Sequence, residues 1–110
     1  METRTELLRG TLDLLILRSL LAAPLHGLSI SRRIGLITQR TFDVKPGSLF
    51  PALYRLEERG LIVAAWGESD TGRRVKTYEL TTQGRKRLKV EEAQWRRVAS
   101  AMACALESES

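Results

Sequence analysis

Reactive side chains are scarce in this chain. A single histidine, His26, and a single cysteine, Cys104, stand far apart, and no paired-carboxylate, nucleophile or glycine-rich phosphate motif falls on a suitable element. That pattern argues against an enzyme. Binding chemistry is concentrated instead in Val44–Ile62, VKPGSLFPALYRLEERGLI. Lys45 and Ser48 bring donors to the start of a helix, where unpaired backbone N–H groups and a partial positive charge suit a phosphate. The rings of Phe50 and Tyr54 offer apolar contact to thymine methyls, and Arg55 can reach a phosphate or a guanine edge. Gly47 and Pro51 keep that face small and smooth, so another macromolecule can approach closely. The alternative for Phe50 and Tyr54 is packing beneath a neighbouring hairpin as satellite core.

A helical wheel groups Leu49, Ala52, Leu53 and Leu56 on one side of this stretch and spreads Gly47, Phe50, Pro51, Tyr54, Arg55 and Glu58 over the other. Pro46 suits the first turn and Gly60 the residue just past the end. Upstream, TLDLLILRSLLAA predicts a helix capped by Thr11 and stopped by Pro24. Its two stripes (Leu12, Leu15, Ile16, Leu20 and Leu14, Leu17, Leu21) cover enough circumference for burial. HGLSISRRIGLITQ predicts a second helix with Ile30, Ile34 and Ile37 inward, Arg32 and Arg33 opposite, and His26 as a capping or packing residue. After Gly60 the period falls to 2. LIVAAW and RVKTYEL predict a hairpin with its tip at Ser69 to Gly72. From Thr81 a long helix follows, and ESES predicts a frayed end. The order helix, helix, helix, hairpin, helix predicts a mainly α fold with a two-stranded β-wing: a winged helix-turn-helix over residues 1–81 and a dimerisation helix over 82–110.

In the hairpin, Arg73, Arg74 and Lys76 are candidates for phosphate or minor-groove contact. Glu68 and Asp70, just before the tip, could pair with the arginines, and Lys76 could run past Tyr78 and Leu80 to water. Arg85, Lys86, Arg87 and Lys89 open the last helix as a solvated face. Further along, Leu88, Trp95 and Met102 recur every seven residues, with Val98, Ala99, Ala105 and Leu106 beside them. Nothing predicted upstream is left to cover that stripe, so a partner helix in a symmetric dimer is the economical expectation.

Composition agrees with these partners. The 110 residues carry 18 Lys and Arg against 13 Asp and Glu, a formal charge of +5, which favours a polyanion. One cysteine cannot form an internal disulfide or a cysteine-rich zinc site, and no cofactor or metal is expected. The apolar run Leu7 to Ala23 is broken by Arg9, Asp13 and Arg18 and closed by Pro24, which argues against a membrane span, a signal peptide and a membrane partner. A cytoplasmic protein is expected.

GSLFPALYRLEERGLI resembles the signature of the PadR family of bacterial transcription repressors. His26–Gly27, Trp66 at the end of the first wing strand, the basic and aromatic RRVKTYELT, and LTTQG at Leu80–Gly84 add to the resemblance, which spans about residues 8 to 102. It implies a homodimeric repressor in a bacterial cytoplasm, bound to a pseudo-palindromic DNA operator and dimerised by its single C-terminal helix with help from the first. It also implies that a flat apolar effector could lie near the dimer axis, with Trp95 either a stacking platform or a plain interface residue. Phe50 replaces the family's usual tyrosine, which removes a hydroxyl from the DNA face, and Leu28 replaces the aromatic that usually follows His-Gly. The competing expectation is a winged-helix module that uses the same face for a protein partner.

Overall fold

The computed structural model describes residues 3–109, with side chains from Gly10 onward. Helix α1 (Thr3–Ser19) leads through a two-residue strand β1 (Leu25–His26) into α2 (Gly27–Ile37). Next come α3 (Pro46–Glu58), the hairpin β2 (Ile62–Glu68) and β3 (Arg74–Leu80), and the 26-residue α4 (Thr82–Glu107). The strands form one antiparallel sheet in the order β1-β3-β2.

The core is aliphatic. Ile16, Leu17 and Leu20 of α1, Ile30 and Ile34 of α2, and Leu49, Ala52, Leu53 and Leu56 of α3 are buried together. Ile62, Tyr78 and Leu80 close the sheet side. Each fully buried leucine or isoleucine contributes about 1.5–3 kcal/mol relative to exposure, so three short helices and a hairpin can form a stable body.

Local signals place the boundaries. Pro46 opens α3, where its missing N–H would have had no helical partner. Gly60, with φ +75°, follows the Arg59 cap, and the Leu61 N–H closes onto the Leu56 carbonyl. The hairpin tip is held by the Ser69 N–H donating to the Arg73 carbonyl at 2.7 Å and the Gly72 N–H to the Ser69 carbonyl at 2.9 Å. Thr81 caps α4, accepting from the Gly84 N–H at 3.0 Å while its own hydroxyl donates to the Gly60 carbonyl at 2.6 Å. Gly84 itself lies against the Leu61 carbonyl so tightly that any added Cβ would collide with it. This contact docks the start of α4 onto the end of α3.

Four expectations need correction. Helix α1 does not start at Thr11 but continues back to Thr3, because the preceding Glu, Leu and Arg are good helix formers and Gly10 costs only about 1 kcal/mol. It also ends before Pro24: the Ser19 hydroxyl bonds the Ile16 carbonyl at 2.7 Å, and the chain tightens into a turn there. Ile37 faces solvent, because α2 ends at that residue and the chain turns away through Gln39 and Arg40, both with positive φ. The hairpin is joined by β1, whose Leu25 and His26 pair with Tyr78 and Thr77.

Candidate nucleic-acid interface

Helix α3 buries Leu49, Ala52, Leu53 and Leu56 and turns Lys45, Gly47, Ser48, Phe50, Pro51 and Tyr54 outward. Pro51, inside the helix, has no N–H for the carbonyl of Gly47. The N-terminal end of the outward face is therefore small side chains and backbone. Lys45, the helix N-cap by position, pairs with Asp43 at 2.7 Å. Hydrogen bonding to Asp43, and then its charge, raise the Lys45 pKa above 10.5. Both side chains are more than 70% exposed, so the pair is screened and Lys45 can exchange this partner for another anion.

Tyr54 is 62% exposed, which rules out the satellite-core alternative for it. The hydrogen bond and charge of Glu58 raise the pKa of its hydroxyl above 10.0, so it remains a neutral donor throughout the physiological range. Phe50 divides its surface. It is 45% exposed, yet one edge lies against Gly27 at the start of α2, where an added Cβ would come within 2.9 Å of the ring. Gly27 and Phe50 thus set the spacing between α2 and the outer face of α3.

Arg55 departs from the expectation. Its guanidinium donates to Asp13 of α1 at 2.9 Å, and its side chain is only 32% exposed. It belongs to a contact between helices and is not free on the outer face. Because 42 residues separate the two, no local pattern could have revealed the pair. The available hint was a carboxylate set among the leucines Leu12, Leu14 and Leu15.

On the wing, the register pairs Trp66 with Lys76 and Glu68 with Arg74, so these four side chains share one face. The Arg74 guanidinium lies over the Trp66 ring, 5.0 Å from its centroid, and Lys76 Nζ lies 5.6 Å from that of Tyr78. Lys76 also approaches Glu57 of α3 at 3.7 Å. The wing is thereby fastened to the C-terminal half of α3. Among the described residues neither Glu68 nor Asp70 forms an ion pair with Arg73 or Arg74. Trp66 is the platform on which Arg74 rests.

The apolar residues of α4 divide at its middle. Leu88 is 2% exposed and belongs to the core of the body, which corrects its assignment to the interface stripe. One heptad on, Trp95 is 44% exposed, and Val98, Met102 and Leu106 are more so. Ala99 is exposed too. Trp95 and Val98 line an open groove of about 210 Å³ with Gly10, Thr11 and Leu14 of α1 and Glu91 and Gln94 of α4. Arg87 pairs with Glu91, while Arg85, Lys86 and Lys89 are solvated as expected. His26 accepts or donates a 2.9 Å hydrogen bond with Ser29 and marks the N-terminus of α2. Among the described residues no cluster could hold a metal ion.

Three helices, the third open on its outer side, flanked by a two-stranded wing, define a winged helix-turn-helix protein. The sequence model of the transcriptional regulator PadR-like family matches residues 16–90. This chain therefore belongs to the PadR-like family of transcriptional regulators, which are not enzymes. An uncharacterized protein of Lysinibacillus sphaericus is 33% identical over 95 residues, 86% of this chain and 87% of that one. Among solved structures, a PadR-like transcriptional regulator from Bacillus cereus is 25% identical with a TM-score of 0.80, covering 94% of this chain and 99% of its own. A PadR family transcription regulator from Clostridium difficile is 29% identical with a TM-score of 0.75, covering 86% and 97%.

Proposed function

We propose that this regulator is a homodimeric, sequence-specific DNA-binding repressor of the bacterial cytoplasm. One observation carries the reading: α3 buries all four members of its aliphatic set and leaves outward a small-residue N-terminal end with Lys45, Ser48 and Tyr54, while the wing, tied to the same helix through Lys76 and Glu57, exposes Arg73 and Arg74. Donors at a helix N-terminus with cations to one side match the groove and backbone of a duplex. Phe50 and Pro51 supply apolar contact on the same face. The formal charge of +5 favours the same polyanion. Among the described residues no helix is long and apolar enough to cross a membrane.

The second copy is inferred from α4. Trp95, Val98, Ala99, Met102 and Leu106 present a stripe that the monomer leaves open, and Leu12, Leu14 and Leu15 of α1 are only partly covered. A partner α4 laid along that stripe buries both. Residues 82–110 then act as the dimerisation helix and residues 1–81 as the DNA-reading unit, with the first turns of α4 shared between the two. The groove beside Trp95 has room for a small flat apolar effector stacked on the ring.

Fluorescence anisotropy with a labelled random-sequence duplex tests the polyanion part. Affinity should fall steeply with salt in proportion to the phosphates neutralised. An absence of duplex binding at low salt would favour the winged-helix protein-interaction module instead.

A further inference from the structure

Asp13 stands in the middle of α1, among aliphatic residues, with its side chain only 18% exposed. Two cations converge on it: Arg55 Nη2 of α3 donates to Oδ1 at 2.9 Å, and Nη1 of Arg59, the C-cap of α3, lies 3.9 Å from Oδ2. Glu91 of α4 adds negative charge nearby and is itself held by Arg87 at 2.7 Å. On its other flank the C-terminal half of α3 is tied to the wing through Glu57 and Lys76. The N-terminal half has no such tether among the described ion pairs; Lys45 meets only its near neighbour Asp43.

We propose that Asp13 is a positioning residue for DNA recognition: through Arg55 it fixes the tilt of α3 on α1. The proposal rests on the DNA-binding reading. Geometry gives it leverage. Seven residues separate Arg55 from Ser48, about 10 Å along a helix, so a tilt of about 10° about Arg55 displaces the donor end by roughly 2 Å. A hydrogen bond spans only about half an ångström of useful distance, so such a shift disengages Ser48 and Lys45 from whatever they read. Arg59, farther from the carboxylate and more exposed, supports the position without defining it.

The test uses the full chain and a duplex enriched from a random pool by the unmodified protein. Asp13→Asn is nearly isosteric, and Arg55→Met keeps most of the buried stem, so both variants can fold; circular dichroism checks this. Each change should cut the ratio of enriched-duplex to random-duplex affinity about tenfold at an unchanged salt slope. The double variant should lose no more than either single one, since both break the same contact. Without DNA, hydrogen exchange over residues 49–58 should quicken in both variants while β2 and β3 keep their protection. The proposal is overturned if Arg55→Met lowers the salt slope by about one and Asp13→Asn tightens binding to every duplex, because Arg55 would then be a phosphate contact. It is equally overturned if the losses of the two single variants multiply in the double. If the unmodified protein enriches no duplex, the DNA-binding reading fails separately, and unaltered exchange in α3 would remove the tether itself.

Discussion

Helix α3 and the outer half of α4 use apolar residues in opposite ways. Every large aliphatic residue on the inner side of α3 is buried, and its outer face holds small residues, donors and two rings. In the second half of α4 nothing is buried, and the exposed stripe is Trp95, Val98, Met102 and Leu106. An exposed face built of donors suits a polar, charged partner, whereas one built of aliphatics and indole suits another apolar helix. The molecule therefore carries two exposed surfaces of unlike chemistry. The contrast is sharpest within α4 itself, where Leu88 and Trp95 share a stripe but only Leu88 meets the body of its own chain.

The largest expected effect breaks the outer half of α4. Trp95→Glu places a charge on the apolar stripe and should convert dimers to monomers in sedimentation at micromolar concentration. Enriched-duplex affinity should fall 100-fold or more, since one protomer holds only half the contacts. Secondary structure and monomer stability should stay as they were.

Leu88→Ala, one heptad earlier, should do the reverse. Truncating a buried leucine costs about 2–5 kcal/mol, so denaturant unfolding should show a clear loss of stability. Any loss of dimer would follow from unfolding rather than precede it.

A smaller pair of effects separates α3 from the wing. Arg74→Ala should weaken enriched and random duplexes alike and reduce the salt slope by about one, because one phosphate contact is lost. Tyr54→Ala should instead shrink the gap between the two duplexes by roughly tenfold and leave the slope unchanged, as expected for a base contact. If Arg74→Ala changed discrimination while Tyr54→Ala changed the slope, the two roles would have to be exchanged.

The smallest effect concerns Asp13. Burial is the largest influence on its pKa and outweighs the Arg55 charge and hydrogen bond, so the value lies above 3.8. A carboxyl whose pKa is raised by folding favours the native state when protonated, and that contribution is lost as pH rises through the folded pKa. Asp13→Asn should therefore leave the thermal midpoint at neutral pH unchanged or slightly higher. The difference should close as pH falls below the ordinary aspartate range. A large drop at neutral pH would mean that the ion pair stabilises the fold outright.

Much of the fold was legible because its punctuation is local. Pro46 and Gly60 bracket α3, Thr81 caps α4, and the Ser69–Gly72 cluster sets the hairpin tip, each through bonds made within a few residues. β1 was not legible, since two residues are too few to display an alternation. The extension of α1 was hidden by Gly10, which reads as a break but is tolerated inside a helix. On the candidate site, the outward set of α3 followed from helical period alone. Arg55 did not, because period places it on the outer arc while a carboxylate 42 residues away draws it inward. The heptad of α4 likewise relates Leu88 to Trp95 without telling which of them meets its own chain.

In the function proposed above, a duplex covers the outer face of α3 and a second copy covers the outer half of α4. Selection from a random duplex pool with the full-length protein tests both at once. The expected result is an inverted repeat with half-site centres about one helical turn apart, since two symmetry-related α3 helices must enter successive major grooves on one side of the DNA. Recovery of an unpaired half-site, or of no enriched sequence at all, would contradict it.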